Sequence, residues 1–289
     1  MSAQPPAPAG SQQNVDRATV DGFGQEWSHF TQAGLSDEER ARVFNEYFHI
    51  FPWEQVSSSA SVGADVGCGS GRWAALVAPR VGRLHVIDAS PDALAVARTN
   101  LTDHSNVSFH LASVDDLPFE DGTLDFAYSL GVLHHVPDTA AALAAVARKL
   151  KPGAPLLVYL YYAFDNRPVW FRMVWRASDA VRRVVACLPW PLRLTVSQVL
   201  AVVVYWPLAR TARLLEACGV TPDSWPLSYY RDKSFYVMRT DALDRFGTRL
   251  EQRFTRQQIL RMLAAAGIEG VRFSEKTPFW CAVGTRQRP

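Results

Sequence analysis

The sequence is short of cysteine. Its 289 residues contain four, Cys68, Cys187, Cys218 and Cys281. They are widely spaced, with no C-x-x-C and no Cys/His ligand spacing, which argues against a disulfide framework or a metal site. An excess of either charge is also lacking. Thirty Lys+Arg against 28 Asp+Glu leave a net charge of +2, which argues against a nucleic-acid partner. No run of about 18 uninterrupted apolar residues occurs, and a spanning helix is not expected. Residues 1–10 are rich in Ala and Pro and carry neither the basic start nor the apolar run of a signal peptide. A cytoplasmic protein is the expectation. Internal repeats are absent.

What is present is globular: 48% of residues are hydrophobic, enough for one large domain or two small ones. Residues 1–20, with Pro5, Pro6, Pro8 and Gly10, read as a disordered tail. Ser36 and Glu39 have capping-box spacing, and Val43, Phe44, Tyr47, Phe48 and Phe51 share one helical face up to Pro52. From Val62 short apolar runs alternate with amphipathic helices. Strands are predicted at Val62–Val66, Leu84–Ile87, Val107–Leu111, Leu124–Ser129 and Leu156–Tyr161. Helices are predicted over Arg72–Arg80, from Pro91 behind Ser90, and over Ala140–Leu150. The alternation implies a parallel sheet covered on both faces. A capping box at Thr255 and Gln258 opens a last helix, and Ile268–Ser274 and Trp280–Gly284 read as an antiparallel hairpin.

The run Asp65-Val66-Gly67-Cys68-Gly69-Ser70-Gly71 follows a strand and opens a helix. Glycines there let the backbone turn tightly and approach a ligand, and the helix N-terminus offers unpaired N–H groups. Asp88 ends the next strand, where a carboxylate can accept both hydroxyls of a ribose. A dinucleotide fingerprint would need a third glycine at position 72, which is Arg72. An adenosine-type cofactor other than NAD is therefore favoured.

Two more motifs follow. Asp115-Asp116-Leu117-Pro118-Phe119 lies after the third strand, and Leu124-Asp125-Phe126-Ala127-Tyr128-Ser129-Leu130-Gly131-Val132-Leu133-His134-His135-Val136 covers the fourth strand and its loop. Together with Arg148-Lys149-Leu150-Lys151-Pro152-Gly153, the stretch from Val62 to Tyr161 resembles a class I S-adenosylmethionine-dependent methyltransferase. That group includes the ubiquinone/menaquinone C-methyltransferases and many natural-product O-, N- and C-methyltransferases. The resemblance implies a Rossmann-like, seven-stranded doubly wound α/β sheet with the last strand antiparallel, and S-adenosylmethionine as cofactor. It implies that Asp65 and Gly67 hold the methionine amine, that Gly69 and Gly71 shape the loop, and that Asp88 holds the ribose. Ala89 would lie beside the adenine, and the Leu130 carbonyl would meet the amine. Where such proteins often carry an acid for the adenine amino group, this chain has Ser113, supported by the Val114 amide.

Methyl transfer needs alignment of the nucleophile with the S–CH3 bond and, for some acceptors, a base. His134 and His135 follow strand four at the cofactor edge, and His135 is the first candidate for a base. The same pair can instead pack beneath the site. Tyr161, Tyr162 and Tyr230 are candidate substrate contacts, as is Trp27, in a segment resembling one that covers the cofactor in some of these enzymes.

Residues 162–254, between strand five and the last helix, are too many for an ordinary connection and hold five of the nine tryptophans. Geometry places this insertion over the acceptor pocket. From Val181 to Leu215 it contains Arg182, Arg183, Arg193, Arg210 and Arg213, no acid, and the apolar run Val199–Trp206. Such a stretch suits a membrane interface, a pocket for a lipophilic substrate, or a cap buried on the sheet or in a homodimer.

The expected layout is a tail over 1–20, an N-terminal helical lid over 21–56, a cofactor-binding core over 57–164, a large helical cap over 165–250 and a closing helix and hairpin over 251–289. The leading function is methylation of a small, hydrophobic metabolite, of the kind found in secondary metabolism. The competing readings are a cofactor-binding regulatory subunit and a cyclase using the cofactor's charge.

Overall fold

The computed structural model describes residues 14–288 apart from positions 33, 57 and 223. The expected tail falls partly outside these residues. Within them it is ordered sooner than composition implied, because Asp16 caps a helix: its carboxylate accepts from the Thr19 amide at 2.7 Å and starts α1, Arg17–His29.

After α1 come α2 (Asp37–Phe48), α3 (Trp53–Val56), β1 (Val62–Val66), α4 (Ala74–Val77), β2 (Arg83–Asp88), α5 (Pro91–Asn100), β3 (Val107–Leu111), β4 (Phe126–Leu130), α6 (Thr139–Lys149) and β5 (Pro155–Tyr159). The insertion contributes α7 (Val169–Val185), α8 (Trp190–Leu200), α9 (Trp206–Ala217) and α10 (Phe235–Gly247). A π-turn over Ala201–Tyr205 joins α8 and α9 into one helix, Trp190–Ala217. The chain closes with α11 (Arg256–Ala265), β6 (Ile268–Phe273) and β7 (Cys281–Arg286).

The seven strands run in the order β3-β2-β1-β4-β5-β7-β6, with β7 antiparallel to both its neighbours and the other pairs parallel. The order reverses between β1 and β4, so their carboxyl ends diverge and open a crevice there. One face of the sheet packs Leu143, Val146, Ile259 and Leu263 of α6 and α11. The other packs Phe44 and Phe48 of α2 with Trp73 and Leu94 against Val86, Tyr128 and Leu157.

That second cluster divides the segment expected to form the lid. Phe44 and Phe48 are almost fully buried, so α2 is a layer of the core. The part of that segment that covers the cavity is α1, which lies on α5 and α10. At Ser36 the side chain caps α2 by accepting from the Glu39 amide. Glu39 does not return the bond; its carboxylate accepts from the Ser234 amide at 2.7 Å and ties α2 to the cap. The box at Thr255 is reciprocal, as its spacing predicts.

The cap is helical. Its small core joins Val185, Ala201, Tyr205, Ala209, Met238, Ala242 and Phe246. Two of its arginines are buried instead of exposed. Arg182 pairs with Asp179 at 2.7 Å and donates to the Thr248 carbonyl, and Arg193 donates to the Gly247 carbonyl and to Gln25 of the lid. By length and composition the helix Trp190–Ala217 could cross a membrane, although no long uninterrupted apolar run marks it in the sequence. Its contacts with α10 and the buried Arg193 make it a wall of the cap.

Candidate active site

A cavity of about 360 Å³ opens at the carboxyl ends of β1, β2, β4 and β5, beneath α1 and α10. The glycine loop forms one end. Gly67 and Gly69 have φ of +80° and +54°. A Cβ on Gly67 would meet Val132 at 2.4 Å, and one on Gly69 would meet the Trp27 indole at 2.8 Å. Only glycine gives a cradle this close to its neighbours. Asp88 closes the cradle: its carboxylate accepts from the Gly69 amide and the Ser90 amide, both at 2.9 Å. Burial holds its pKa above the usual carboxylate range, opposed by these amides. Ala89, Ser113, Val114 and Leu130 continue this wall. The Ser113 hydroxyl donates to Asp115 at 2.6 Å, which commits its proton and leaves its lone pairs free to accept.

Three of the expected residues do not reach the cavity wall. Gly71 faces α5, where a Cβ would meet Leu101 at 2.9 Å, in keeping with a loop-shaping role. Asp65 lies behind the glycines and is fully buried. Its Oδ2 has no partner among the described residues, and burial raises its pKa to about 8. His134 is buried beneath the site with its ring stacked on Tyr161 at 3.8 Å, which corrects the expectation that it faces the reaction.

His135 does face the cavity. Its Nδ1 lies 2.6 Å from the Leu250 carbonyl, so the proton sits on Nδ1 and the Nε2 lone pair has no partner among the described residues. Burial lowers the ring's pKa and keeps it neutral. Tyr161, Tyr162 and Tyr230 also line the cavity. The Tyr161 hydroxyl donates to Asp244, and that of Tyr230 to Asp241 at 2.9 Å. Trp27, expected at the substrate, sits over the glycine loop, with the Arg72 guanidinium 5.5 Å from its ring centre.

Several cavity residues escaped the sequence reading. Glu26 of α1 and Asp241 and Asp244 of α10 place three carboxylates on the wall, with Arg72, Arg245 and Arg253 among them. Burial raises Glu26 well above its usual range and leaves Oε1 without a partner among the described residues; Asp241 is pushed up to about 6. Asp241 and Asp244 are one helical turn apart, a signal that helical spacing within the insertion carries.

The cradle fits an adenosine cofactor on the structure's own terms. It has glycines that a Cβ would obstruct, a carboxylate at the end of β2 and amides at the crevice.

A family described as a methyltransferase domain matches residues 64–158. A ubiquinone biosynthesis O-methyltransferase of Xanthomonas oryzae pv. oryzae is 38% identical over 96 residues, 32% of this chain and 40% of that protein. The O-methyltransferase resE of Aspergillus sclerotiorum is 34% identical over 128 residues, 43% of this chain and 48% of that one. The alignments thus span less than half the length of these curated relatives. Among solved structures, a methyltransferase of Haloferax volcanii in complex with the activator Trm112 superposes with a TM-score of 0.50 at 16% identity, covering 92% of this chain and 98% of that one. The matched stretch contains the glycine loop, Asp88, β4 and His135, so residues 64–158 resemble a methyltransferase domain, and the fold of the whole chain is that of a solved methyltransferase.

Proposed function

We propose that the protein transfers a methyl group from S-adenosylmethionine to a small, hydrophobic metabolite. The observation that carries this reading is one cavity with the Gly67–Gly69 cradle and Asp88 at one end and, on its wall, the His135 Nε2 that has no partner among the described residues. When bound, the cofactor supplies an electrophilic methyl group on a sulfonium.

In this reading Asp88 receives the ribose hydroxyls, and Ala89, Ser113 and Val114 border the adenine. Gly67 and the Leu130 carbonyl hold the amino-acid end. Asp65, one layer behind, acts on that end through the loop. Trp27 and the rest of α1 cover the cradle and exclude water. His135 takes the acceptor's proton on Nε2 while the Leu250 carbonyl holds its tautomer. The hydrophobic acceptor is supported by Phe164, Phe171, Trp225, Leu227 and Phe279 on the cavity wall. The tyrosines, with Asp241 and Asp244, orient its polar atom. A cytoplasmic location and an acceptor from secondary metabolism belong to the same reading.

Calorimetry with S-adenosylhomocysteine tests the cofactor, and mass spectrometry of hydrophobic hydroxy- and amino-compounds incubated with S-adenosylmethionine tests the transfer. Saturable binding and products heavier by one methylene are expected. No binding, or preference for NAD, overturns the reading.

A further inference from the structure

The cap presents an apolar face to solvent. On α7 the inward side carries Trp175, Asp179, Arg182 and Val185. The outward side carries Trp170, Met173, Val174, Val181 and Val184, between 47% and 67% exposed. Their spacings of three, four and seven place them on one stripe. An amphipathic helix ordinarily buries this stripe; α7 buries an ion pair and exposes it.

The continuous helix Trp190–Ala217 repeats the arrangement. Leu192, Val199, Val202, Val203 and Trp206 are each about half exposed and lie on one face. Leu214 is more exposed still. The opposite side holds Ala201, Tyr205 and Ala209 in the cap core.

The charge beside these stripes is mostly positive. Arg172, Arg176 and Arg183 on α7 and Arg213 on α9 are exposed. Between residues 166 and 215 the only acid is Asp179, and it is buried against Arg182. A second copy of the chain seated on this face would bring arginine against arginine, and the one exposed carboxylate on these helices among the described residues, Glu216, is already paired with Arg231 at 3.0 Å. A membrane bearing anionic lipid supplies both the apolar layer and the opposite charge, and Trp170 and Trp206 suit the boundary between them.

We propose that α7 and the helix Trp190–Ala217 form a docking face that lies in the interface of a membrane containing anionic lipid. The helices lie on the bilayer and do not cross it: Arg193 is bonded inward to the Gly247 carbonyl and Gln25, and α8 packs on α10. The face adjoins the cavity. Arg167 and Phe171 at the start of α7 line it, while Trp170 and Met173 beside them point outward. Docking requires no methyl transfer, so failure of either reading leaves the other standing.

The test is flotation of the full chain with vesicles of phosphatidylcholine alone or mixed with phosphatidylglycerol. Binding to the mixed vesicles is expected, weakened in high salt because exposed charge is screened. Val174→Asp with Val181→Asp, and separately Arg172→Glu with Arg176→Glu, should each lower the bound fraction by about tenfold or more. Both pairs are exposed, so helix content and melting temperature should stay at wild-type values. Failure to bind the mixed vesicles, or equal binding to both kinds, overturns the proposal. So does a dimer in sedimentation that Val174→Asp splits, which would assign the face to a second copy.

Discussion

The indole Nε1 of Trp27 stands 2.8 Å from the place a Cβ on Gly69 would occupy, so lid helix and glycine loop close on each other with no side chain between them. This contact joins two segments far apart in sequence. It makes the lid's position depend on Gly69 having no Cβ, at a φ of +54° that other residues rarely adopt.

Gly69→Ala should therefore push Trp27 and α1 off the loop. S-adenosylhomocysteine affinity is expected to fall by about tenfold or more, by roughly the cost of strained backbone. Calorimetry checks this. Wild-type affinity in the variant would show that the lid does not seat on the cradle.

Asp88→Ala removes the acceptor that holds the Gly69 and Ser90 amides and, in our reading, the ribose. The expected loss of S-adenosylhomocysteine affinity is about one hundredfold, on the order of two charge-assisted hydrogen bonds. Thermal-shift titration reads it, since ligand raises the melting temperature by mass action.

His135→Ala should lower kcat by about 10²–10⁴-fold and leave cofactor affinity nearly unchanged. Burial lowers the His135 pKa, so its neutral, proton-accepting form persists to lower pH than that of a free histidine. The rate should stay level as pH falls through 6.5 and drop only below it. An inflection above that value in the pH–rate profile would assign the proton transfer to another group.

Asp65 gives a pH dependence of stability in the cofactor-free protein. Its pKa is raised from 3.8 to about 8. Between those limits the folded protein keeps a proton that the unfolded chain has released. Its contribution to stability therefore decreases as pH rises through the window and levels off above it. Asp65→Asn should flatten that slope and raise stability near pH 8 relative to wild type. Urea melts at two pH values, one near 5 and one near 8, measure the difference. An unchanged slope would show that the carboxyl is already ionised.

Arg182→Ala leaves Asp179 and the Thr248 carbonyl without their buried donor. A loss of about 3 kcal/mol is expected, at the low end for a broken buried pair because Arg183 still reaches Asp179 at 2.9 Å. Arg172→Ala, exposed on the same helix, should be nearly neutral. Chemical denaturation of both variants separates the two environments.

The core was legible because its signals are local. A glycine run after an apolar strand, a carboxylate ending the next strand and helices announced by Ser90 and Thr255 each need only a few neighbouring residues. The strands therefore lie within a residue or two of their predicted limits, and Gly67, Gly69, Asp88 and His135 meet at one crevice. Leu250, which holds His135, lies 115 residues further along at the end of the insertion, and no local pattern pairs them.

The chain by itself determined the order of elements, the cradle and the presence of a helical insertion. Tertiary structure alone decided which way the insertion faces. Composition counts Arg182, Arg183 and Arg193 alike. Packing turns Arg182 and Arg193 inward to carbonyls and acids, and leaves Arg183 and the stripes around Trp170 and Val203 in water. Likewise Glu26, Asp241 and Asp244 are ordinary acids in sequence and become cavity groups only when α1 and α10 close over the sheet. Burial and field are properties of what surrounds a residue in space, and a sequence records only what adjoins it along the chain.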